Sequence, residues 1–79
     1  MPIEVNVKLV ATFSKYKENL ANGKTTVKDG AIVRDLVKEI TLPLKLVRLI
    51  FINGKQGELE SALSEGDTVF FLPPAIGGG

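Results

Sequence analysis

Val33, Leu36, Val37 and Ile40 fall at i, i+3, i+4 and i+7, the one stretch of this chain with a helical period. The other apolar runs have the spacing of strands, so the chain is expected to lay one helix on one face of a sheet. The far side of the helix carries Arg34, Asp35, Lys38 and Glu39. Pro43 marks its end, because the ring pushes the preceding residue out of helical geometry. Ala31-Ile32 offers no capping side chain, although Asp35 stands in the first turn, where the helix dipole favours a carboxylate.

The strands come before and after. Ile3, Val5, Val7 and Leu9 alternate with Glu4, Asn6 and Lys8, the signature of a half-buried strand with room to run on through Val10 and Ala11. From Phe13 to Lys24 the pattern dissolves. This reads as a loop tucked down by Phe13, Tyr16 and Leu20 and turned at Asn22-Gly23. Lys24 to Lys28 reads as a short edge strand whose lysines discourage further pairing. Asp29-Gly30 turns the chain into the helix. Leu46 to Ile52 is a nearly continuous apolar run, predicted as a third strand buried on both faces or meeting a partner. After the Asn53-Gly54 turn, Glu58-Leu59-Glu60 could pair briefly and Ser61-Ala62-Leu63 could make one helical turn. Thr68 to Leu72 is the last strand. The order β-β-α-β-(β)-β predicts an α+β, β-grasp (ubiquitin-like) fold. Its mixed four- to five-stranded sheet has the first and last strands as parallel neighbours at the centre. Val5, Val7, Leu9, Val33, Leu36, Val37, Ile40, Val69 and Phe71 are the expected core.

The last strand leads to an unusual ending. Pro73 and Pro74 have no N–H to donate, so they stop sheet pairing and favour an extended neck. Gly77-Gly78-Gly79 follows, a run that average glycine usage would place at a given position roughly three times in ten thousand. Against the plain alternative of a frayed end, the composition suits a tail that threads a narrow channel. Glycine adds no Cβ to widen the chain or shield the terminal carbonyl. The residues from Pro73 onward reach about 23 Å when extended. The expected division is a body over residues 1–72 and an extended tail over residues 73–79.

Composition narrows the chemistry. The 79 residues contain no cysteine and no histidine, which removes disulfides, thiolate nucleophiles, the usual general base and the commonest metal ligands. No bound cofactor, no metal site and no catalytic side chain are expected: if chemistry happens, the chain is its substrate or carrier. A net charge of +1 with interleaved signs gives no footing for nucleic acid, and no apolar stretch is long enough for a membrane span. No secretory leader is visible, so the expectation is a cytoplasmic protein.

A β-grasp body ending in Gly-Gly resembles the ubiquitin-like sulfur carriers, the MoaD/ThiS family. The resemblance covers essentially the whole chain. It is carried by Gly66-Asp-Thr-Val-Phe-Phe-Leu-Pro-Pro-Ala-Ile-Gly-Gly-Gly79, by Asn53-Gly54 and by Gly30-Ala-Ile-Val-Arg-Asp-Leu36. The Phe-Phe-Leu-Pro-Pro segment is similar to the molybdopterin-synthase small subunits of that family. Ile32 stands where the family commonly has Thr, and Val10 and Leu72 stand where it often has aromatic residues.

The resemblance implies a role for each part. An E1-like (MoeB-like) enzyme would use ATP to adenylate the Gly79 carboxylate, and a persulfide sulfur would convert it to a thiocarboxylate. The tail (Pro73, Pro74, Ala75, Ile76, Gly77 and Gly78) would then enter a MoaE-like large subunit, where the sulfur builds the dithiolene of molybdopterin. Val10, Phe70 and Leu72 would form the exposed outer patch that docks the large subunit. A carrier for a thiamine or tungsten-cofactor pathway, and a ubiquitin-like modifier or adaptor, remain open beside it.

Overall fold

A computed structural model describes residues 1–74. Its centre is a five-stranded mixed sheet in the order β2-β1-β5-β3-β4. The strands are β1 (Ile3–Leu9), β2 (Lys24–Val27), β3 (Leu49–Ile52), β4 (Lys55–Gln56) and β5 (Thr68–Leu72). β1 and β5 pair in parallel, with Val7 opposite Val69 and Leu9 opposite Phe71. β2 is antiparallel to β1 at one edge, and β3 is antiparallel to β5 on its other side. The β-grasp expectation holds, including the parallel pair at the centre.

Register decides the core. Val7, Val69 and Ile52 form one row across the sheet, and Leu9, Phe71 and Ile50 the next. Above them lies α1 (Val33–Glu39), which presents Val33, Leu36 and Val37. All nine expected core residues are buried, joined by Phe13, Val27, Ala31, Leu42 and Leu63 among others.

Four local expectations are corrected. β1 stops at Leu9, because Ala11 takes a positive φ of 54° and a 3-10 segment, Ala11–Asn19, replaces the expected loop. Phe13 is buried there, with Tyr16 and Leu20 packed against the core. Secondly, α1 ends well before Pro43. Thr41 has a φ of 59°, and the Asn19 side-chain amide donates to Ile40 O (3.1 Å) and Thr41 Oγ1 (2.9 Å). A long-range cap ends the helix before the proline can.

Thirdly, the strand expected from Leu46 begins only at Leu49. The preceding apolar residues form a 3-10 turn, Leu44–Leu46, and Ile50 is the strand's one fully buried residue. Fourthly, the Gly57–Leu63 stretch makes neither the 58–60 pairing nor a helical turn. β4 is Lys55–Gln56 instead, and the later residues serve the helix. Val33 N–H donates to Ser61 O and Arg34 N–H to Leu59 O, while Ile32 bridges Ala62. The first-turn N–H groups, which no helix can satisfy internally, are thereby paired. Asp35 Oδ2 accepts from Ile32 N–H at 3.0 Å and so supplies the acidic half of a cap that isoleucine cannot.

Candidate functional site

The chain leaves the body through β5, the middle strand of the sheet, flanked by β1 and β3. A polar clamp fixes its entry. Asn53 N–H donates to Thr68 O (2.8 Å) and its side-chain oxygen accepts from Thr68 N–H (2.9 Å). The Asn53 amide donates to Asp67 Oδ1, and Asp67 Oδ2 accepts from Ser64 N–H at 2.8 Å. Asn53 can reach Thr68 because it takes a φ of 53° at the turn, a region asparagine tolerates. Arg48 N–H donates to Leu72 O at 3.1 Å at the strand's exit. Pro73 and Pro74, half-buried, follow directly. The tail is thus rooted between the end of β1 and the start of β3.

Beside this root lies the sheet face that α1 does not cover. Phe70 stands between Lys8 of β1 and Phe51 of β3, and Leu72 lies opposite Leu49. The Phe51 and Phe70 rings are 6.4 Å apart at 43°, a tilted contact that fills the face laterally. Phe70 and Leu72 are therefore half-buried rather than exposed as expected. Apart from Met1, the exposed large apolar side chains among the described residues are instead Leu44 (36%), Leu46 (44%) and Leu49 (41%), just before and within β3. A shallow hollow of about 360 Å³ is lined by Lys8, Phe51, Gly54, Thr68 and Phe70.

Val10 stands apart from that hollow. It follows the last β1–β5 pair and lines a neighbouring groove of about 420 Å³ with Lys17 and Leu20. Lys8 borders both. The expected trio is thus split: Phe70 and Leu72 share a face, and Val10 sits at its margin. Leu49, Phe51 and Lys8, unassigned from sequence, complete the face. The only sequence signal for Leu49 and Phe51 was the apolar run after Leu46. Ala75, Ile76, Gly77, Gly78 and Gly79 lie outside the described residues. No group of three or more acidic, cysteine or histidine side chains that could hold a metal occurs among the described residues.

A ubiquitin family described as Mut7-C ubiquitin matches residues 3–75, the body and its neck. The chain belongs to this family. Among solved structures, the Mut7-C ubiquitin chain is similar to a putative molybdopterin converting factor, subunit 1, from Pyrococcus furiosus. The two share 26% identity over 92% of this chain and 99% of that one, with a TM-score of 0.67. It is also similar in fold to the small archaeal modifier protein 1 of Haloferax volcanii, at 19% identity over 92% and 99% of the chains and a TM-score of 0.67. The HVO 2177 protein of the same organism gives a TM-score of 0.70 at 22% identity over 98% and 88%. Comparison with curated proteins finds no match. The resemblance to ubiquitin-like carriers holds for the described body. No helix of the described residues is long and apolar enough to cross a membrane.

Proposed function

We propose that this chain is a cytoplasmic ubiquitin-like sulfur carrier of the molybdopterin-synthase type, with its sulfur carried on Gly79. The supporting observation is the joining of a neck at Pro73-Pro74, a Gly-Gly-Gly end and a half-open apolar face at a single strand, β5. The likeness to a putative molybdopterin converting factor subunit supports the same pathway. In this reading a carboxylate oxygen of Gly79 attacks the α-phosphorus of ATP in the activating enzyme, and pyrophosphate leaves. The terminal sulfur of an enzyme persulfide displaces AMP to give an acyl disulfide, which a thiol cleaves to the thiocarboxylate. The tail, residues 73–79, then delivers that sulfur to a pterin precursor in the large subunit. Phe70 and Leu72 dock the large subunit, with Val10 at the edge of the contact. The chain supplies no catalytic side chain and holds no cofactor.

The likeness in fold to a small archaeal modifier protein keeps one other reading in view, transfer of Gly79 to the lysines of target proteins. Intact-mass measurement of the protein from its own host, before and after ATP, sulfur donor and the host's activating enzyme are added, tests the proposal. Conversion of the terminal carboxylate to a thiocarboxylate is expected, and one alanine added after Gly79 is expected to abolish it. Full conversion of the extended chain, or a native chain that continues past Gly79, sinks the carrier reading. Isopeptide-linked ladders without thiocarboxylate would select the modifier reading.

A further inference from the structure

The chain contains two Asn-Gly-Lys sequences, Asn22-Gly23-Lys24 and Asn53-Gly54-Lys55. The fold gives them the same backbone. Each closes a two-residue hairpin, between Ala21 and Lys24 and between Ile52 and Lys55. The φ angles are 55° and 76° at the first turn and 53° and 86° at the second, the form that such tight hairpins favour. Both asparagines are exposed. Their side chains differ. Asn53 accepts from Thr68 N–H and donates to Asp67 Oδ1, each at 2.9 Å. Of the four asparagines in the chain, Asn6, Asn19 and Asn53 make side-chain hydrogen bonds among the described residues, and Asn22 makes none.

That difference bears on a covalent reaction. Asparagine is thermolabile, and a following glycine favours its breakdown because no Cβ hinders the attacking peptide nitrogen. This nitrogen, having lost its proton to hydroxide, attacks the asparagine Cγ. The new C–N bond closes a five-membered succinimide ring, and the side-chain nitrogen leaves as ammonia after taking a proton from water. Water then opens either ring carbonyl, giving aspartate or isoaspartate. Nothing is oxidised or reduced, and water and hydroxide are the only co-reactants. Neither Gly23 N–H nor Gly54 N–H donates to a backbone acceptor among the described residues, so the two nitrogens are equally open. Ring closure requires Cγ to turn onto the following nitrogen. The Asn22 side chain can turn directly, whereas that of Asn53 must first release two hydrogen bonds.

We propose that Asn22 is a site of spontaneous deamidation and that the clamp of Asp67 and Thr68 shields Asn53 from the same reaction. The shielding matters because of what stands opposite. A carboxylate at position 53 has no proton to donate to Asp67, and would set two negative charges where a hydrogen bond now lies. The entry of β5, and the neck that follows it, would lose part of its anchor. Asn22 instead leads into the edge strand β2, with β1 between it and β5.

The test incubates the full chain in mildly alkaline buffer and follows both sites by peptide mapping with mass spectrometry. The replacement of NH2 by OH is read from the mass, and isoaspartate from its elution. Releasing two hydrogen bonds of ordinary net worth should make Asn53 react about ten-fold or more slowly than Asn22. In strong urea, where only the shared Asn-Gly-Lys sequence remains, the two rates should converge. Asp67→Ala should raise the Asn53 rate and leave that of Asn22 unchanged, with an unfolding midpoint to show that the body persists. If D67A fails to fold, the wild-type ratios with and without urea decide. Equal rates in the folded chain, faster reaction at Asn53, a ratio that urea leaves unaltered, or no conversion at Asn22 each overturn the proposal. So does a folded D67A in which Asn53 keeps its wild-type rate.

Discussion

On the helix side of the sheet, β1 and β5 present Val5, Val7, Leu9, Val69 and Phe71, none more than 5% exposed. On the other side the same two strands present Asn6, Lys8, Thr68, Phe70 and Leu72, of which none is fully buried. Alternation along each strand creates both faces, yet a second layer covers just one of them. The closed face buries its side chains from above and from the side. On the open face Phe70 is steadied only laterally, by Phe51 and the neighbouring strands. The first arrangement stabilises the body; the second leaves apolar area available to a partner without asking the fold to reorganise.

The comparison is broken most directly from the closed side. Leu36→Ala should cost about 2–5 kcal/mol in denaturant unfolding, because a fully buried leucine leaves a cavity under the helix. A cost below about 1 kcal/mol would mean that the helix layer does not close the core. On the open side, Phe70→Ser should weaken large-subunit binding by about 2 kcal/mol or more in calorimetry. Its own stability should fall by about 1 kcal/mol, the scale of a lost aromatic contact. Unchanged affinity, or outright unfolding, would erase the distinction between the faces. The smallest effect belongs to the helix entry. Asp35→Ala should cost about 0.5–1 kcal/mol, since it removes both the acceptor for Ile32 N–H and a favourable dipole charge. A loss comparable to that of Leu36→Ala would show that capping rather than packing holds the helix.

The closed face was legible because two short-range periods encode it. Residues 3, 5, 7 and 9, and residues 33, 36, 37 and 40, can be read without knowing what they touch. The misread segments depend on distant partners. Nothing local marks Gly57–Leu63 as the segment whose carbonyls receive the first N–H groups of α1, nor Asn19 as the residue that ends it. The apolar run from Leu46 was detected, but hydrophobicity alone does not separate a 3-10 turn from a strand. Phe70 and Leu72 were placed on the correct face by alternation. Their half-burial was missed because it depends on Phe51 and Leu49, which pair with them across some twenty residues of sequence.

The neighbours of β5 on both sides also have a mechanical meaning. A pull on the chain beyond Pro74 loads β5 along its length, against a parallel ladder to β1 and an antiparallel ladder to β3 at once. Bonds perpendicular to the load share it and must yield together, whereas a strand peeled from an edge gives them up one by one. A machine that tugs on the tail therefore meets the body in its stiffest direction. The ladders on both sides of β5 thus join the neck to the middle of the sheet rather than to an edge.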